Sequence, residues 1–352
     1  MSFWDIFKKK ENKKKLRKTK NTDKLSSKTD ISDDTEIIIM KENELDELIY
    51  EWESSEEIIN SLLKETDNQT KDNIKFIEYL INLIDKEKLD IPMLPDIIIK
   101  IMKLSENPDT NISEYTKVVK SDQALALKII KLANSPLYKG IRDVNDLNLA
   151  VSRIGIEELK NIVLMMSLQS KIFSNKNFKD LIEDIWKTSL LTSIIASNLA
   201  NYYSLDSSKI YTIALVHDIG EVIVLDSVKG YETFYKRKYK PDNHFIKRIA
   251  KSFHQEISAF TLAHWNFSKE QISIVRTHHT PPEKTTNEYN KVLFISYQTA
   301  VILLKFKFNQ ENINNFPYKF IIKFSELPLK EDAFYLLLKK SLKKFKEFSN
   351  LN

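Results

Sequence analysis

The stretch Ser121-Asp-Gln-Ala-Leu-Ala-Leu-Lys-Ile-Ile-Lys-Leu-Ala-Asn-Ser-Pro-Leu-Tyr138 decides the fold class. Ser121 and Asp122 offer N-cap oxygens. Ala124, Leu125, Leu127, Ile129, Ile130, Leu132 and Ala133 then make the helix apolar on nearly every side. Such a helix is expected at the centre of a helical domain. Asn134 is expected as its C-cap or as a buried polar fastener. Arg142 and Arg153 flank this region and could meet a phosphate or an acidic partner, with solvated side chains as the plainer expectation.

Working outward, Pro92 and Pro95 start a helix carrying Ile97, Ile98, Ile101, Met102 and Leu104, and Asn107-Pro108-Asp109 ends it. Asn111 or Ser113 can cap the next. Helical spacing continues through 147–154, 159–168, 181–200, 210–225, 245–265, 270–278 and 291–304, then closes with an amphipathic stretch over 331–348. Only 36–40 and 316–324 suit short strands. The chain has four glycines, too few for a hairpin-rich β-fold. The reading is all-α: a multi-helix domain over 89–304 with accessory helices over 36–88 and a helical extension over 305–352. Residues 1–35 read as a basic tail without a core of its own.

Composition excludes several function classes. With no cysteine there is no disulfide, thiolate ligand or cysteine nucleophile. No apolar run approaches the roughly 20 residues of a spanning helix, and Phe3, Trp4, Ile6 and Phe7 precede the lysines, the reverse of a secretory signal. A cytoplasmic location is expected. Met1 to Lys20 holds nine Lys/Arg against Asp5 and Glu11, which leaves the rest of the +5 chain slightly acidic. A nucleic-acid partner is therefore not expected. The apolar tip followed by Lys8, Lys9 and Lys10 could give weak contact with an anionic membrane surface, peripheral at the inner membrane.

Chemistry concentrates in the histidines, all six of which lie in the second half. His217-Asp218 falls inside the apolar run from Tyr211 to Glu221, where an imidazole and a carboxylate are costly to bury unless bonded. Gly220 lets another helix approach closely. His278-His279 ends a helix stopped by Pro281-Pro282, and His254 is read near the start of the helix before it. Those helices could converge on a divalent metal with His217, Asp218, His254, His278 and His279 as candidate ligands, a set suited to Mn, Fe or Zn. A hydrogen-bonded core pair is the plainer alternative. His244 and His264 are expected to be incidental.

The run from Leu94-Pro95 through Asn134-Ser135-Pro136-Leu-Tyr138, then Asp146 to Gly155 and His217-Asp218-Ile-Gly220, resembles the HDOD family, the HD-related output domains. The resemblance covers roughly 89–304. It implies an all-α fold related to HD-superfamily metal phosphohydrolases, found in bacterial signal-transduction proteins and regarded as non-catalytic. In the catalytic relatives an earlier His, the His-Asp pair and a later Asp hold a metal whose water attacks phosphorus. Here the matching positions are Thr188 and Tyr297, so two of those ligands are missing. A two-metal branch that cleaves cyclic di-GMP adds a downstream His and a His-His pair, matched by His254, His278 and His279. Its Gly-Tyr-Pro signature is absent at Thr280-Pro281-Pro282-Glu283. The resemblance thus implies a non-catalytic regulatory module with a signalling-protein partner, no catalytic residue and no required cofactor. The alternative is a metal-dependent phosphohydrolase acting on a nucleotide or cyclic dinucleotide.

Overall fold

The computed structural model describes residues 68–351 except 106, 108, 173–176 and 324–326. The basic tail, its Phe3 and Trp4 tip and most of the 36–88 region lie outside the described residues. Among those described there is no strand, and no helix is long and apolar enough to cross a membrane.

The helices run α1 Asn68–Asp85, α2 Asp96–Ser105, α3 Ile112–Lys120, α4 Gln123–Ala133, α5 Leu147–Ile154, α6 Ile156–Ile172 and α7 Lys179–Tyr202. They continue as α8 Ser207–Val216, α9 Ile219–Tyr235, α10 Asn243–His264, α11 Lys269–Arg276, α12 Glu288–Lys305, α13 Tyr318–Lys323 and α14 Glu331–Ser349. The centre belongs to α7, whose residues from Ser189 to Ala200 are all buried. Its small residues, Ser189, Ser193, Ala196, Ser197 and Ala200, let α8, α12 and α14 pack closely around it.

The 121–138 stretch forms α4 as expected, capped by Asp122, whose side chain accepts the Leu125 N–H at 3.0 Å. Its expected central position is corrected. Leu125, Ile129, Leu132 and Ala133 are buried, but Leu127 is 60% exposed, so α4 lies on the surface with one face inward. Asn134 is both the C-cap of α4 and a partly buried fastener: its side-chain amide donates to the Val144 carbonyl at 2.7 Å and its amide oxygen accepts the Val144 N–H at 2.9 Å. Arg153 donates to the carbonyls of Ala133 (3.2 Å) and Arg142 (2.7 Å), which commits its guanidinium to closing this loop. The 316–324 stretch, read as a possible strand, contains α13 instead.

At the other end α1 is held against α9 by rings. Phe76 meets Tyr231 and Tyr239 at centroid distances of 5.6 and 5.4 Å, and Arg237 pairs with Asp72 at 2.7 Å. This packing fixes the outer face of α9, whose inner end begins the site.

Candidate metal centre

The apolar run predicted as one helix from Tyr211 to Glu221 is broken. α8 ends at Val216, α9 begins at Ile219, and His217 and Asp218 form the turn between them. In a continuous helix adjacent side chains diverge by about 100°. The turn instead brings His217 Nε2 to 3.0 Å from Asp218 Oδ2. The other histidines also sit differently from the expectation. His254 lies in the middle of α10, and His278 and His279 follow the end of α11 in a turn that α12 pins through Asn290, which donates to Thr277 Oγ1 at 2.9 Å.

These elements converge. His254 Nε2 and His278 Nε2 lie 3.4 and 3.3 Å from Asp218 Oδ1. His254 Nε2 is 3.3 Å from His278 Nε2 and 3.0 Å from His279 Nε2. One donor atom from each of Asp218, His254, His278 and His279 falls within 4.8 Å of all the others. His217 flanks this group from the second carboxylate oxygen. His244 and His264 are exposed and outside it.

The tautomers follow from the backbone. His217, His254 and His278 each place Nδ1 2.6 Å from a carbonyl three residues earlier, those of Ala214, Lys251 and Val275. A carbonyl can only accept, so Nδ1 carries the proton in all three, and a neutral His254 or His278 presents a bare Nε2 lone pair. Burial favours that neutral form. It pushes His254 down to about 3 against the pull of Asp218, and lowers His278 and His279 as well. Burial also works to raise Asp218, but the imidazoles around it, His217 first, hold it well below the usual carboxylate range.

The bare Nε2 lone pairs of His254 and His278, 3.3 Å from each other and 3.4 and 3.3 Å from Asp218 Oδ1, repel unless something positive lies between them. His217 Nε2 and Asp218 Oδ1 are buried atoms whose close contacts lack hydrogen-bond alignment. A tetrahedral ion with metal–nitrogen bonds of about 2.0–2.1 Å separates its donors by roughly 3.3 Å. The orphaned Asp218 Oδ1 and its 3.3–3.4 Å distances to His254 and His278 therefore fit a transition metal, with His279 as the fourth donor of a set lying within 4.8 Å.

Asp218, His254 and His278 are buried and His279 is partly exposed. The Thr188 hydroxyl donates to the Asp184 carbonyl at 2.9 Å, inside its own helix. The Tyr297 ring stands edge-on to His217 and His279 at centroid distances of 5.4 and 4.8 Å. Beside Asp218 the cavity lined by Ile185, Trp186, Ser189, Leu215, Ile219 and Val222 measures about 10 Å³, room for about one water. Two residues not singled out in the sequence also belong here. Glu221 is buried one turn beyond Asp218, and burial followed by the Asp218 charge pushes it up to about 8. Ser258 stands i+4 from His254 on α10, and that spacing was the only sequence signal for it.

Comparison with known proteins agrees with this architecture. The family model for the HDOD domain matches residues 91–281. An uncharacterized protein of Treponema pallidum is 27% identical over 213 residues, 58% of this chain but 40% of that protein, so the match spans less than half of the relative. Among solved structures, a Shewanella amazonensis protein provisionally named a metal-dependent phosphohydrolase matches with TM-score 0.59 at 20% identity, covering 78% of this chain and 99% of that one. An HDOD domain protein of unknown function from Geobacter sulfurreducens gives 0.54 at 19%, covering 80% and 99%. A protein from Marinobacter aquaeolei provisionally named for signal transduction gives 0.55 at 16%, covering 83% and 67%. At these identities the structures share the fold. The family match covers more than half of the chain, which belongs to the HDOD domain family.

Proposed function

We propose that this chain is a non-hydrolytic signalling module that acts by binding another protein and holds one divalent metal on Asp218, His254, His278 and His279. The observation that carries the reading is what occupies the two positions where the resemblance places further metal ligands: the Thr188 hydroxyl donates to the Asp184 carbonyl of its own helix, and Tyr297 presents its ring to His217 and His279. The cavity between Asp218 and α7 measures about 10 Å³, room for about one water. A metal on the four donors would neutralise the crowded lone pairs and tie α9, α10 and the turn after α11 together. When bound, such an ion would supply Lewis acidity to a water or oxygen ligand, with Asp218, His254, His278 and His279 holding it. The signalling role draws on the family and on the name of the Marinobacter protein.

A competing reading, a phosphohydrolase acting on a nucleotide or cyclic dinucleotide, draws on the same four donors and on the name of the Shewanella protein. Thr188 and Tyr297 count against it, since neither supplies the imidazole or carboxylate of the catalytic relatives. The test is metal analysis of the purified chain, with turnover of bis(p-nitrophenyl) phosphate and of a cyclic dinucleotide. The expected result is about one transition metal per chain, lost in Asp218→Ala, with no turnover. Hydrolysis that disappears in Asp218→Ala would replace this reading with the competing one.

A further inference from the structure

Asp218 occupies the N-cap position of α9, where an aspartate ordinarily turns its carboxylate back onto the N–H groups of the first turn. It makes no such cap here. The Gly220 N–H, the second of that turn, donates to Ser258 Oγ at 2.9 Å, and the Glu221 N–H goes to the Asp218 carbonyl at 2.9 Å. Ser258 is fully buried on α10, one turn beyond His254. The approach is close enough that a β-carbon on Gly220 would fall 2.4 Å from the His254 carbonyl oxygen and 2.8 Å from Ser258 N and from Ser258 Oγ.

We infer that Ser258 is a positioning residue: its hydroxyl caps α9 in place of Asp218 and so releases the Asp218 carboxylate to the histidines. First-turn N–H groups must be satisfied when buried, and the residue in the cap position is their nearest acceptor. Without Ser258 Oγ the Gly220 N–H would reclaim Asp218, and the donor set would lose its oxygen. The same contact fixes the spacing between α9 and His254, so one serine sets both the direction of the carboxylate and its distance from the ring. The metal part of this inference rests on the reading proposed above; the capping part does not.

The experiment has two arms on the full chain. In the first, Co(II) is titrated into wild type, Ser258→Ala and Thr261→Ala, reading the visible absorption of the bound ion. Thr261 is equally buried on α10, but its hydroxyl donates only to the Ile257 carbonyl of its own helix, at 2.7 Å. Ser258→Ala is expected to weaken Co(II) binding about 10- to 100-fold, as loss of a residue supporting a ligand does, while Thr261→Ala binds as wild type. Equal weakening by both, or none by Ser258→Ala, would overturn the positioning role. In the second arm, urea unfolding in chelator compares Ser258→Ala in the wild-type and Asp218→Ala backgrounds. The loss is expected to be larger where Asp218 cannot step in as the cap, and strict additivity would overturn the capping role. Absence of Co(II) uptake by wild type would remove the metal reading and leave the second arm to decide the cap.

Discussion

Gly220→Ala separates local propensity from packing because the two predict opposite signs. Gly220 is the second residue of α9, where alanine is favoured over glycine by at most the about 1 kcal/mol of a helix interior. The added β-carbon, however, meets two backbone atoms that cannot rotate away, the His254 carbonyl oxygen at 2.4 Å and Ser258 N at 2.8 Å. Reaching the ordinary contact of 3.4 Å requires α9 to retreat from α10 by about 1 Å. Overpacking of this kind costs about 1–3 kcal/mol, which outweighs the propensity gain across most of its range. The retreat also carries Asp218, two residues earlier, away from His254 Nε2, now 3.4 Å from its Oδ1. The expected outcome is a chain less stable in chelator by about 1 kcal/mol, by urea unfolding, with Zn(II) or Co(II) binding weakened at least tenfold by titration. A variant more stable than wild type with unchanged metal affinity would refute the close-approach argument.

Four further outcomes are expected. Saturating Zn(II) or Mn(II) should raise urea stability, by about 2.7 kcal/mol at a hundredfold excess over Kd; an unchanged midpoint would count against the four-donor site. Glu221 is raised from 4.5 to about 8, so the folded state holds a proton that the unfolded state releases, and stability should fall as pH climbs between those values and stay low above. Glu221→Gln should flatten that fall and be the more stable chain above pH 8; an unaltered profile would contradict the assignment. Glu158 accepts from Tyr138 at 2.7 Å and pairs with Lys344 at 2.5 Å, joining the 134–146 loop to α14. Glu158→Gln should cost about 2 kcal/mol and speed amide exchange in α14, whereas unchanged exchange would show that α14 is held by other contacts.

Much of the fold was legible because capping and apolar spacing act locally. Helix α5 has the bounds read from the sequence, and Asn111 caps α3 with a capping box to Glu114. What escaped was set by tertiary context. The break at His217-Asp218 has apolar residues on both sides, so helical periodicity passes through it unaltered. Residues 316–324 alternate in Phe316, Tyr318, Phe320 and Ile322 like a strand, yet packing of Phe316 and Tyr318 on Phe334 selects a short helix. Leu127 made α4 read as buried all round, although one face is solvated. At the site, residue type revealed the histidines and Asp218. Ser258 did not stand out, since its role depends on which helix lies across from it. The loop contacts of Arg153 were hidden for the same reason.

The most direct test of the central claim is hydrolysis by the metal-loaded full chain, with cyclic dinucleotide and bis(p-nitrophenyl) phosphate followed by chromatography alongside Asp218→Ala. Wild type and variant are expected to give the same background rate, because Thr188 and Tyr297 stand where the resemblance to the catalytic relatives places two further metal ligands. Turnover by wild type that Asp218→Ala abolishes would contradict that claim.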